Sequence, residues 1–341
     1  MNFNDALEKI RAGHSLTREE AKQVFSGAFQ EGADQDALAE LLTILAERGE
    51  TVAEITGAAE ALRGAMLPFE HDATDAVDTC GTGGDKLGSF NLSTASALVA
   101  ASAGAKVIKH GNRSVSSQCG SADLLEAAGM RLELTPKQAQ SVFRQEGIVF
   151  LFAPAFHPAM RFVAPVRAKL GIRTIFNFLG PICNPGGVKR HLLGVSDPDR
   201  IAQFAGVLEE LNFERAYVVH GAGGADELTL AGPNQVQIVG AAPAQSLNAE
   251  DLGLQHASVE ELEGGDPICN LKMLHRLLDG KLGPIHDAVC LNAAAALLAA
   301  GITNEVQVAL ERSKQAIANG DARRKLGTWI ATTHLAAEGQ L

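Results

Sequence analysis

The sequence of 341 residues predicts an α/β protein, with a helical N-terminal lobe followed by a larger domain built on a mainly parallel sheet. Three observations carry this. Residues 1 to about 70 place apolar side chains at three- and four-residue spacing and contain no convincing strand. From Asp75 onward, short apolar runs each end in glycine or a polar turn and alternate with helical stretches, which is the texture of successive βαβ units. Hydrophobic residues make up 46% of the chain and charged residues 20%, enough to bury a sizeable core, while no apolar run reaches the ~18 residues of a membrane span.

In the first lobe, Thr17-Arg-Glu-Glu20 and Thr51-Val-Ala-Glu54 read as capping boxes that start two helices. Strands are expected at Ala76-Val77, Lys106-Val-Ile108, Gly147 to Phe152 and Ala216 to Val219. A proline-punctuated stretch from Pro154 to Pro185 separates the last two. Its Phe156 to Leu170 part has helical spacing and is expected to return to the helical lobe. Apolar helices at Asp287 to Ala300 and Asn304 to Ile317 fill the C-terminal third, and the alanines after Asn292 suit close helix packing. The expected division is therefore a helical domain at 1–72, with a return of about 155–190, and an α/β domain at 73–341.

Twenty-nine basic residues against forty acidic ones leave a net charge of −11, which opposes long-range attraction to nucleic acid or to an anionic membrane. Neither is expected as a partner. The N-terminus alternates charges where a secretory signal would run from basic to apolar, so the expected location is cytoplasmic. Five widely spaced cysteines without a CxxC pair read as reduced thiols. Glycine is the anomaly, at 35 residues, about a tenth of the chain against about 7% in an average protein. Nine of those glycines fall within positions 81–88, 109–121 and 220–227, around three loops that become the candidate site.

The first loop is Asp78-Thr-Cys-Gly-Thr-Gly-Gly-Asp85, followed by Phe90-Asn-Leu-Ser-Thr94 and a small-residue helix. A strand that runs through close glycines into a helix exposes backbone N–H groups suited to phosphate, with Ser93 and Thr94 adding hydroxyls. A tight turn needing glycine only for positive φ fits the same residues. The spacing matches neither GxGxxG nor GxxxxGK[ST]. The second loop, Lys109-His-Gly-Asn-Arg-Ser-Val-Ser-Ser117, gathers two cations, an amide and three hydroxyls at a strand end. Lys109 and Arg113 are there expected to contact phosphate oxygens. An exposed polar loop is the plainer alternative. The third, His220-Gly-Ala-Gly-Gly-Ala-Asp-Glu227, puts two carboxylates in a glycine-rich turn where both can reach Mg²⁺, although a solvated pair is the commoner case. His157, His191, His275 and His286 lack ligand spacing, and Cys80 reads as a small packed residue.

Together, Gly81-Thr-Gly-Gly-Asp85, Asn91-Leu-Ser-Thr94, Lys109-His-Gly-Asn-Arg113 and Gly120-Ser-Ala-Asp-Leu-Leu-Glu126 resemble the anthranilate phosphoribosyltransferase family. The likeness continues through His157-Pro-Ala-Met160, Val166-Arg167, Arg173-Thr-Ile-Phe-Asn177, Leu179-Gly-Pro181 and Asp226-Glu227, in the family's order and over nearly the whole chain. It implies a nucleoside phosphorylase-like (class III phosphoribosyltransferase) architecture, a homodimer through the helical lobe, and a site between the lobes. The implied reaction is transfer of the 5-phosphoribosyl group from phosphoribosyl pyrophosphate (PRPP) to the amine of anthranilate, the second step of tryptophan biosynthesis.

By position, the resemblance assigns PRPP binding to Gly81, Gly84, Asp85 and Ser89, to Asn91, Leu92, Ser93 and Thr94, to Lys109, His110, Gly111, Asn112, Arg113, Ser114, Val115, Ser116 and Ser117, and to Ser121. Ser93, Asp226 and Glu227 would serve Mg²⁺. Gly81, Asn112 and Arg167 would border anthranilate, with His110 and Pro181 nearby and Arg167 facing the carboxylate. No catalytic base is assigned. One departure stands out: where the family has glycine after the loop's aspartate, this chain has Lys86-Leu87. A pyrimidine nucleoside phosphorylase shares the fold but carries Lys-x-Ser-Gly-Arg in place of Lys109-His-Gly-Asn-Arg113. A non-enzymatic nucleic-acid-binding relative would need a basic groove.

Overall fold

A computed structural model of the chain describes residues 1–114 and 117–341. The first lobe consists of α1 (Phe3–Arg11), α2 (Arg18–Ala28), α3 (Gln35–Arg48) and α4 (Val52–Ala65). Both capping boxes form: the Glu20 carboxylate accepts from the Thr17 N–H at 2.7 Å, and Glu54 accepts from the Thr51 N–H at 2.8 Å. Glu54 is fully buried, and its charge is met by Arg48 at 2.6 Å and the Leu16 N–H at 2.9 Å.

The α/β domain carries six strands, β1 (Val77–Gly81), β2 (Val107–Gly111), β3 (Ile148–Phe152), β4 (Arg190–Gly194), β5 (Arg215–His220) and β6 (Gln235–Gly240), in the order β3-β2-β1-β4-β5-β6. The first five run parallel and β6 is antiparallel. Two of these strands have no strong sequence signal. In β4, Arg190-His-Leu-Leu-Gly194 has no β-branched residue. In β6, the polar Gln235 and Gln237 stand exposed, as an edge strand allows.

Alternate residues of β5 feed opposite cores: Tyr217 and Val219 join a cluster with the C-terminal helices, while Ala216 and Val218 join one with the helical lobe. The second cluster includes Val166, Ile175, Phe176 and Leu179, so the proline-punctuated stretch packs with α2, α3 and α4. In the first cluster, Pro284–Ala300 is buried along nearly its whole length and packs on α5 (Leu92–Ser102), two small-residue helices meeting closely. The chain leaves β1 in one direction for β2 and β3, and in the other for β4 to β6. The crevice at the carboxyl ends of β1 and β4 is therefore the switch point where open α/β sheets bind ligands.

Candidate active site

The glycine loop leaves β1 over that crevice with both ends pinned. At its start, the Thr82 N–H donates to the Gly194 carbonyl at 2.9 Å; at its end, Gly88 and Phe90 pair with Gly264 and Leu262. Ser89 lies in this second contact, opposite Glu263. Between the pins, Gly83, Gly84, Lys86 and Gly88 all adopt positive φ. Such alternation turns successive N–H groups toward one side, as in a backbone nest. Among the described residues, the N–H groups of Gly84, Asp85, Lys86 and Gly88 have no protein acceptor. The Leu87 N–H closes back on the Asp85 carboxylate at 3.2 Å. Lys86, at the apex, holds φ of 63°, a conformation that costs a non-glycine residue about 1 kcal/mol. Glycine at this place would carry no such cost.

Facing the loop, the turn after β5 brings Asp226 and Glu227 against it. Asp226 Oδ2 accepts from the Gly83 N–H at 2.6 Å, and Glu227 Oε1 accepts from the Ser93 N–H at the start of α5 at 2.8 Å. The turn sits tightly on the strand ends: a Cβ on Gly81 would collide with the Asp226 carboxylate, and one on Gly194 with its backbone carbonyl. Asn292, from the middle of the buried alanine-rich helix, clamps the residue beyond the pair. Its Oδ1 accepts from the Leu228 N–H at 3.0 Å and its Nδ2 donates to the Leu228 carbonyl at 2.8 Å. Burial, and then the Asp85 carboxylate, push the Asp226 pKa up to about 7. Burial and then Asp226 push Glu227 well above the usual range, despite the Ser93 N–H.

Asp226 and Glu227, half-buried beside Asp85 and pushed toward their neutral forms, are short of a cation. Hard oxygen donors of this kind, with Ser93 bonded to Glu227 through its backbone, suit Mg²⁺. A tighter group, Asp78, Cys80 and His191, has its ligand atoms within 4.8 Å of one another. Asp78 there already accepts from the Thr79 and His110 N–H groups and from Asn184 Nδ2 at 2.7 Å, so its charge is solvated by the protein. Burial pushes the Cys80 thiol up and His191 down to about 4, leaving both neutral at pH 7. The group is a hydrogen-bonded plug beneath Gly81.

The two cations of the second loop both have protein partners. Lys109 is 1% exposed, and its Nζ donates to the Thr79 carbonyl and lies 3.4 Å from Ser93 Oγ. It points inward from β2 and lies beneath the loop, where its charge favours the ionised Glu227. Arg113 is exposed but paired, with Glu126 at 2.9 Å and Asp123 at 3.4 Å. Asp123 organises the rest of that loop by accepting from the Ser114 and Gly120 N–H groups. Ser114 Oγ bonds Ser117, and Ser121 Oγ donates to the Asn112 carbonyl. Gly111 leaves no room for a Cβ beside Ser121 and Phe150. Val115 and Ser116 lie outside the described residues.

At α5, only Ser93 of the assigned group reaches the acidic pair. Leu92 fills the core, the Thr94 hydroxyl is buried without a partner among the described residues, and the Asn91 amide ties Cys119 to Asn270. The rings of His110 and His157 lie 5.0 Å apart, tilted by 49°, and burial lowers them to about 3 and about 4. His110 Nδ1 meets the Gly180 carbonyl at 3.0 Å, while its Nε2 is buried and unpartnered among the described residues. Arg167, on the helix Ala164–Leu170, is half-buried beside Phe176 and donates to no protein acceptor among the described residues.

Sequence reasoning assigned no role to Arg173. Its guanidinium lies against Gly84, donates to the Gly83 carbonyl at 3.1 Å, and reaches Ser196 Oγ at 3.3 Å. It lines a cavity of about 190 Å³ that also touches Glu50 of the helical lobe and Thr82 of the loop.

Residues 4–66 match the helical bundle domain of the glycosyl transferase family, and residues 73–323 match its a/b domain. Anthranilate phosphoribosyltransferase from Moorella thermoacetica is 43% identical over 95% of this chain and 96% of its own. The chain belongs to the anthranilate phosphoribosyltransferase family. The family's enzyme from Roseiflexus castenholzii is 44% identical over 98% of this chain and 99% of its own. The crystal structure of the family member from Thermus thermophilus superposes with a TM-score of 0.92 at 44% identity, covering 97% of this chain and 99% of that one. The Saccharomyces cerevisiae member, solved in complex with PRPP and Mg, shares the fold at a TM-score of 0.88 and 24% identity, over 97% of this chain and 98% of that one.

Proposed function

We propose that the chain transfers the 5-phosphoribosyl group of PRPP to the amine of anthranilate, releasing N-(5-phosphoribosyl)anthranilate and pyrophosphate in the second step of tryptophan biosynthesis. The observation that carries this reading is the run of unclaimed N–H groups at Gly84, Asp85, Lys86 and Gly88, set against Asp226 and Glu227. That pairing of anion donors with cation ligands suits a metal-bound pyrophosphate and little else.

In this reading the loop N–H groups hold the pyrophosphate, helped by Arg113 once it exchanges Glu126 for phosphate and by the hydroxyls of Ser114 and Ser117. Asp226, Glu227 and Ser93 would hold Mg²⁺, which supplies charge neutralisation for the leaving group. Buried Lys109 favours the charged form of Glu227 against the burial and the Asp226 charge that oppose it, and a bound cation would complete that shift. Arg167, half-buried and unclaimed, would take the anthranilate carboxylate, with Asn112 and Gly81 bordering the ring and neutral His110 offering Nε2 as a hydrogen-bonding partner. The aromatic amine is neutral at pH 7. Its nitrogen bonds to ribose C1 as the C1–O bond to pyrophosphate breaks, and its surplus proton leaves to solvent, so holding it in line matters more than a base. A homodimer through the helical lobe and a cytoplasmic location belong to the same proposal.

The test mixes protein, Mg²⁺, PRPP and anthranilate and follows loss of anthranilate fluorescence. No loss at any metal concentration overturns the reading, and phosphorolysis of thymidine or uridine would move it to a nucleoside phosphorylase.

A further inference from the structure

We propose that Lys86 is an additional substrate-binding cation, carried at the apex of the glycine loop, where it contacts the pyrophosphate. The inference rests on the proposed PRPP reading and adds a contact particular to this chain's loop.

Four observations lead to it. Lys86 sits at the apex of the stretch whose N–H groups at Gly84, Asp85, Lys86 and Gly88 are unclaimed, so its side chain springs from the backbone that would cradle the phosphates. Its ammonium is exposed and forms no ion pair or hydrogen bond among the described residues. Of the other cations near the crevice, Lys109 is buried against Thr79 and Ser93, Arg173 is bonded to Gly83 and Ser196, and Arg113 must first leave Glu126 and Asp123 to reach phosphate. Three carboxylates, Asp85, Asp226 and Glu227, crowd the same place. A polyanion entering such a site needs positive charge beyond that of the metal, and Lys86 is the uncommitted source on the loop itself.

The backbone strengthens the case. Lysine holds a left-handed conformation of φ 63° that glycine would adopt freely, so the residue is kept at a conformational cost. The loop ends are pinned at Thr82 and at Gly88–Phe90, while its middle is held by the Asp226 and Arg173 contacts to Gly83. The Asx-type closure of Leu87 on Asp85 then sets the direction in which the Lys86 side chain leaves the apex.

The test separates charge from backbone. Lys86→Met removes the charge and keeps the left-handed strain, Lys86→Gly removes both, and Lys86→Arg keeps the charge. Each variant and the parent are titrated with Mg-pyrophosphate by calorimetry, and the KM values for PRPP and anthranilate are measured at two ionic strengths. We expect Lys86→Met and Lys86→Gly each to weaken pyrophosphate binding and raise the KM for PRPP about three- to tenfold. They should leave the KM for anthranilate in place and flatten the salt dependence, while Lys86→Arg stays near the parent. Unchanged pyrophosphate affinity in Lys86→Met overturns the inference. So does an effect confined to Lys86→Gly, because the residue would then act through the loop's path alone. A parent protein that fails to bind Mg-pyrophosphate at all would instead overturn the PRPP reading.

Discussion

The carboxylate of Asp226 accepts a 2.6 Å hydrogen bond from the backbone N–H of Gly83, so the acidic turn after β5 and the glycine loop after β1 are one connected object. A cation at Asp226 would meet an oxygen already tied to the glycine loop, so the loop and the proposed metal site would answer to each other.

The raised pKa of Asp226 makes stability depend on pH. A carboxyl lifted to about 7 in the fold, from an ordinary value near 4, binds more protons folded than unfolded between those limits. Stability of the metal-free protein should therefore fall as pH rises from about 4 to about 7. Melting in a chelator at pH 5 and pH 8 should show the drop. Mg²⁺ or Asp226→Asn should lessen it, and a drop of equal size in Asp226→Asn would assign the effect elsewhere.

Removing the charges of the pair should abolish turnover more than folding. Asp226→Asn combined with Glu227→Gln should lower kcat at saturating Mg²⁺ about a hundredfold or more. Unchanged turnover would show that these carboxylates hold no metal in the reaction.

Arg167→Ala removes a half-buried cation that, among the described residues, has no hydrogen-bonding protein partner to strand. The KM for anthranilate should rise on the order of 10- to 100-fold while that for PRPP moves little. Equal changes in both would exclude a role at the anthranilate carboxylate.

Asn292→Ala leaves the buried Leu228 N–H and carbonyl without their side-chain partners, at a cost of about 2–3 kcal/mol. Activity measured well below the melting point should fall too, because the clamp holds the residue next to Glu227. Full activity with reduced stability would make Asn292 a packing residue only.

Glycines on the crevice and on the surface should respond oppositely to a methyl group. Gly194→Ala drives a Cβ into the Asp226 carbonyl and should cost about 1–3 kcal/mol along with activity. Gly64→Ala, in open space on α4, should stabilise by roughly 0.5–1 kcal/mol. Paired chemical denaturation curves decide both.

The three glycine-bearing loops were legible because their chemistry needs unusual residues in a short span, and Lys86 could be singled out before its backbone angle was known. Asn292 was not, since one asparagine in an alanine run reads as packing until Leu228 lies opposite it. Arg173 sits 90 residues from the Gly83 carbonyl it binds, and only the fold makes them neighbours. Lys109 and Arg113 share a segment rich in donors, but strand alternation sends Lys109 inward while Glu126, a turn of helix away from Asp123, claims Arg113. β4 stayed hidden because a central strand buried on both faces needs no alternation to betray it.

The central pair of the sheet has a kinetic consequence. β1 and β4 lie side by side although more than a hundred residues separate Val77 from its partner Arg190, and Asp226 joins them later still. The loop that closes between them must lose its freedom before the crevice can exist. Folding of the larger domain should thus be slow for its size, with the helical lobe formed early. On the ribosome, a chain halted before residue 226 would carry the glycine loop without Asp226 to hold Gly83 or Leu262 and Gly264 to hold its far end, and that loop should be the segment proteases find first.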